Sequence, residues 1–146
     1  MPFLRAARAA TLSLFVFACG ANATAAELEV RIGGVANDTG EVGCTLYAGP
    51  TGFPMDPAPA RSVWVPARSG GVMCRFPDVP PGDYAVAVSH DLNGNRKTDT
   101  NFLGIPTEAW GVSNNVRPGL RAPRFDEARF AVCDCASLAI DVAVAR

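Results

Sequence analysis

Glycine and proline interrupt this chain so often that a bundle of long helices is excluded. Fourteen Gly and 12 Pro are scattered over 146 residues. Each Pro removes a backbone donor, and each Gly weakens the interior of a helix. Between the interruptions lie short runs that alternate at period two, the mark of half-buried strands. Residues 27–32 alternate polar and apolar. Residues 41–47 set Val42, Cys44 and Leu46 on one face, and residues 71–76 do the same with Val72, Cys74 and Phe76. Residues 61–65 make another run. Residues 84–90 are apolar on both faces except at their end, which predicts a central strand. Residues 129–132 and 137–144 close the chain, the last with four apolar positions in phase. Seven strands in one all-β sandwich are therefore expected. The first two read as a hairpin across Asn37-Asp38-Thr39-Gly40, and the third and fourth are joined by a turn at Arg68-Ser69-Gly70-Gly71. Phe53 and Met55, in a loop too rich in Pro for a central strand, are expected to tuck onto the sandwich edge.

Residues 1–26 have the layout of an export signal. Arg5 and Arg8 precede an apolar stretch containing Leu12, Leu14, Phe15, Val16 and Phe17, and small residues follow with A-x-A patterns ending at Ala23 and Ala25. The apolar run is too short for a membrane span. The expected organisation is a signal peptide over 1–26 and one domain over 27–146, in the periplasm or outside the cell. Val16-Phe17-Ala18-Cys19 also resembles a lipobox, so a lipoprotein anchored through Cys19 is the alternative. The formal net charge of −1 leaves no basic footprint for nucleic acid.

Four cysteines remain beyond Cys19, an even number in a chain read as exported, with three possible connectivities. Cys44 and Cys74 share the phase of core-facing residues, which favours Cys44–Cys74 and leaves Cys133–Cys135 as the second pair. The C-x-C spacing also suits a redox pair or a soft metal, but a metal needs further ligands that the segment does not supply.

Residues 91–127 are long and irregular, and their polar residues make the best candidate site. Asp91, Asn93, Asn95 and Asp99 stand at positions 1, 3, 5 and 9 of a calcium-type loop, with Lys97 offering a carbonyl at position 7. Position 12 is Phe102 rather than Glu, and position 6 is Arg96 rather than Gly, so Thr100, Asn101, Glu108 or water would have to complete a weak Ca²⁺ site. The same spacing makes a self-capped turn, in which Asp and Asn oxygens accept nearby N–H groups. His90, Asn101, Glu108, Trp110, Asn114 and Asn115 complete the candidate surface for a protein, peptide or glycan. Phe102, Leu103, Ile105 and Trp110 are expected to plug one end of the sandwich.

Three stretches carry a family resemblance: Pro80-Pro81-Gly82-Asp83-Tyr84, then His90-Asp91-x-Asn93-Gly94-Asn95 with Asp99-Thr100-Asn101-Phe102-Leu103-Gly104-Ile105-Pro106, then Gly111-x-Ser113-Asn114-Asn115. Together they resemble the bacterial exported family known as domain of unknown function 2141, over nearly the whole chain after the signal. The Pro-Pro-Gly-x-Tyr turn is similar to those of Cna-B-type and transthyretin-like proteins, which implies an immunoglobulin-like or prealbumin-like sandwich. The resemblance implies no activity. Arg96 departs from it where Gly is usual, and Val112 where an aromatic is common.

The single His90 has no nucleophile in phase, since Ser89 points to the opposite face of a strand. His90 is read as a strand-end residue bonded to Asp91 or Asp99. A non-enzymatic binding or structural module is the expectation. A hydrolase using His90, or a thiol-redox protein using Cys133 and Cys135, is the alternative.

Overall fold

A computed structural model describes residues 25–146; residues 1–24 of the expected export signal, Cys19 among them, lie outside the described residues, and Ala26, its expected last residue, is the first of β1. Among the described residues, eight strands, one turn of 3-10 helix and one short α-helix run in the order β1 (Ala26–Gly33), β2 (Glu41–Tyr47), β3 (Arg61–Pro66), β4 (Gly71–Val79), β5 (Gly82–Asp91), β6 (Trp110–Val112), the 3-10 turn (Ser113–Asn115), α1 (Phe125–Ala128), β7 (Phe130–Val132) and β8 (Ser137–Ala143). The extra strand is β6, three residues inside the segment expected to be irregular throughout.

The strands form two sheets. One has the order β4-β1-β8, with β1 antiparallel to β4 and parallel to β8. The other has the order β3-β2-β5-β6, with β7 pairing the start of β5. The period-two runs place their apolar residues as expected. Leu28, Val30 and Ile32 of β1 meet Val42, Cys44 and Leu46 of β2, Cys74 and Phe76 of β4, and Val86 and Val88 of β5 in one core. Central β5 is paired on both sides, by β2 and β6.

The strand connections differ from the sequence expectation. β1 and β2 are not a hairpin but lie in opposite sheets, and so do β3 and β4. Both connections cross between the sheets side by side at one end. Ala67 N–H donates to Gly40 O at 3.1 Å, Gly70 N–H to Val35 O at 2.9 Å, and Ser69 N–H to Asp38 Oδ1 at 2.5 Å. Alternation reports which face of a strand is buried; it carries no information about the neighbour, so a crossover with turn residues reads as a hairpin.

Cys44 and Cys74 are fully buried, one in each sheet, and their sulfurs lie at disulfide distance, with Cα atoms 6.5 Å apart. Cross-linking positions 30 residues apart restricts the unfolded chain by about 3–4 kcal/mol in the chain-entropy account. Cys133 and Cys135 pair at the exposed link between β7 and β8. Among the described residues, no helix is long and apolar enough to cross a membrane.

A second apolar cluster covers half of the outer face of the larger sheet. It contains Tyr47, Ala85, Val112, Phe125 and Ala128, with Phe53 packed edge-on between Tyr47 and Phe125 at 5.2 and 6.0 Å. Phe53 thus tucks in as expected, whereas Met55 stays 51% exposed. The apolar plug is not formed. Phe102 is 94% exposed, Leu103 67% and Ile105 55%. Their hairpin stands away from the core because Asn101 Oδ1 turns inward on Leu103 N–H and Ile105 N–H, leaving the apolar side chains outside. Trp110 alone of the four packs against the sheet.

Candidate functional site

The loop after β5 is held by its own side chains. Asp91 is fully buried, and its carboxylate accepts the N–H groups of Asn93 (3.1 Å), Gly94 (2.8 Å) and Arg96 (2.5 Å). Asn93 Oδ1 accepts Asn95 N–H, and Asn95 Oδ1 accepts Lys97 N–H. The amides of Asn93 and Asn95 both donate to Asp99, at 2.6 and 2.8 Å. Glu108 reaches from the far side of the loop to accept Leu92 N–H and Asp99 N–H. The four residues of the calcium-type spacing are therefore brought together, bonded to one another and to the backbone. Among the described residues, no three His, Cys, Asp or Glu side chains form a group that could hold a metal.

Arg96 adopts the left-handed conformation, φ 57°, that its neighbourhood imposes. The departure from Gly at this position thus leaves the turn intact and adds a side chain. That guanidinium bonds both oxygens of Glu41, at 3.0 and 3.2 Å, and lies 5.7 Å from the centroid of the Trp64 ring.

The other candidates are tied elsewhere. His90 is buried, and its Nε2 pairs with Thr39 O at 2.8 Å rather than with Asp91 or Asp99. Consecutive strand residues point to opposite faces, so Asp91 enters the loop while His90 meets the crossover end. Asn114 donates to Glu127 O and Arg129 O, Asn115 Oδ1 accepts Ala143 N–H, and buried Ser113 joins Val86 N–H to Ala128 O. Gly111-x-Ser113-Asn114-Asn115 is thereby a staple between β5, α1 and β8. Asn101 shapes the exposed hairpin.

What the loop borders is an open groove of about 430 Å³ on the uncovered half of the larger sheet's outer face. Register explains it. One row across the sheet reads Trp64, Gly43, Ser89, Trp110; the next reads Ser62, Thr45, Ala87, Val112. Both tryptophans of the chain thus stand on strands three steps apart, about 14 Å at the usual strand spacing, with small residues between. The Trp64 indole lies across Gly43, where an added Cβ would come within 2.5 Å of the ring. Arg117 lies 4.5 Å from the Trp110 ring centroid. Lys97, Thr98 and Pro106 form one end of the groove, and Tyr47, Met55 and Asp56 the other.

Tyr47 is 2% exposed, and its hydroxyl has no hydrogen-bond partner among the described residues. No sealed side-chain polar atom lacks a partner there, so this oxygen is not sealed from solvent, and Tyr47 is one of the residues that line the groove. Burial, and then the charge of Asp56, push its pKa up to about 12, which keeps the hydroxyl neutral. Ser89, Thr98 and Lys97 likewise present side-chain polar groups with no partner among the described residues. The sequence reading found the loop side of the groove but missed Trp64, Tyr47, Thr45 and Ser89. Their one signal is the small or polar character of the outward phase of β2 and β5, beside the two tryptophans.

Fold and site define a two-sheet β-sandwich with an aromatic-bordered groove on one outer face. The chain belongs to the bacterial family described as "uncharacterized protein conserved in bacteria" (DUF2141), which matches residues 30–139. No curated protein and no solved structure matches it.

Proposed function

We propose that this protein is an exported, non-enzymatic binding module whose recognition surface is the groove between Trp64 and Trp110. The observation that carries this reading is the buried Tyr47, which lines a groove bordered by both tryptophans and whose hydroxyl has no partner among the described residues. Concave sites with apolar walls and a few convergent polar groups are the usual form of small-ligand sites, and this volume lies in their range. The loop from His90 to Asn115 contributes by building one end and one side of the groove, while its Asp and Asn side chains hold it in shape. The ordered signal features of residues 1–26 and two cysteine pairs at disulfide distance support export. The engagement of buried His90 with the Thr39 carbonyl supports a role in structure rather than in proton transfer.

A thermal-shift screen of the oxidised protein tests this reading, using sets of short saccharides, peptides and inorganic ions. Ser89→Phe, which fills the groove floor, is screened in parallel after circular dichroism shows it folded. A probe that raises the melting temperature of the wild type and not of Ser89→Phe is expected. No shift with any probe, or equal shifts in both proteins, would refute it.

A further inference from the structure

We infer that the groove takes a saccharide, an inference that rests on the groove being the recognition surface. The backbone beneath it is closed to ligands. β2 is paired by β3 and β5, and β5 by β2 and β6, so the strands forming the floor offer no edge to an extended peptide. Peptides that bind sheets rely on such an edge for main-chain hydrogen bonds. The floor of the groove can bond a ligand only through side chains.

Those side chains are chiefly hydroxyls. Tyr47, Ser89 and Thr98 each carry one without a partner among the described residues. A hydroxyl both donates and accepts, so it matches another hydroxyl in either role. The aromatic borders supply large apolar area with a polar handle at each indole nitrogen. A sugar ring has both properties, apolar C–H faces and a rim of hydroxyls. Charge is not clustered by sign: Lys97 stands at one end and Asp56 at the other, while Arg96 is held by Glu41. A strongly anionic or cationic ligand finds no complementary field along the groove.

The experiment titrates the oxidised protein with short homo-oligomers of glucose, N-acetylglucosamine and galactose, all uncharged. Mixed-sequence peptides of similar length serve as the competing class. Fluorescence of the two tryptophans reports occupancy, and calorimetry gives Kd. Saturable binding of at least one oligosaccharide is expected. Tyr47→Phe, which keeps the ring and its packing, should weaken that binding about three- to tenfold, the loss of one hydrogen bond. Saccharide binding that Tyr47→Phe leaves unchanged would overturn the inference. Peptide binding that is sensitive to Tyr47→Phe, without saccharide binding, would overturn the saccharide class and leave the groove as the site. Binding of neither class would overturn both.

Discussion

Replacing Asp91 should unlock the loop that frames the groove, because one fully buried carboxylate organises it. Asp91→Ala removes three charge-assisted hydrogen bonds, to the N–H groups of Asn93, Gly94 and Arg96. Each such bond is worth about 1.5–3 kcal/mol in a buried setting. The three donor residues are themselves exposed, so their freed N–H groups can turn to water. The low end therefore applies, and discounting further for this rehydration gives a total of about 3 kcal/mol. Asp91→Asn keeps one oxygen for Asn93 and Gly94 but turns an amide N–H₂ toward Arg96 N–H. Its cost should be intermediate, about 1.5–2 kcal/mol. Urea unfolding measures both, with a midpoint shift of about 2 M expected for Asp91→Ala at the slope usual for small domains. Limited proteolysis should show new cleavage between residues 92 and 99. A loss under about 1 kcal/mol in Asp91→Ala, with no new cleavage, would refute the reasoning that this carboxylate holds the loop. Because Asp91 and Asp99 already accept N–H donors, Ca²⁺ added to EDTA-treated wild type to about millimolar levels should leave the midpoint unchanged. A rise that Asp99→Asn abolishes would show instead that the ion replaces those donors.

Other expectations rest on separate contacts. Arg96→Gly should be more stable than Arg96→Ala by about 1 kcal/mol, since only Gly takes a φ of 57° without steric cost; equal urea midpoints would contradict this. Arg121, followed by the Arg124 N–H, holds the Glu127 carboxyl at about 2, below its ordinary 4.5. Its folded pKa is depressed, so its contribution is present above 4.5 and is lost as pH falls toward 2. Glu127→Gln should flatten the pH dependence of the urea midpoint across that window, and an unchanged slope would count against the contact. Graded reduction with alkylation and mass spectrometry should label Cys133 and Cys135 before Cys44 and Cys74, because the first pair is accessible and the second fully buried. Labelling in the reverse order would place the inter-sheet pair outside the core.

The sequence alone settled what depends on near neighbours along the chain. Period-two alternation determined that Val42, Cys44 and Leu46 face the core and that Cys74 does so from its own strand, and apolar residues on both faces marked β5 as central. Asx spacing likewise disclosed the self-capped loop, since Asp91, Asn93 and Asn95 act on N–H groups within five residues. Tertiary structure alone decided which strands pair. It turned two apparent hairpins into crossovers, sent Phe102 outward, and joined His90 to Thr39. It also made the groove, because Trp64, Gly43, Ser89 and Trp110 form one row only once four strands from three regions of the chain are in register. The physical reason is range. A side chain's face follows from its own backbone period, whereas its neighbour across a sheet is chosen by closing long loops around a shared core.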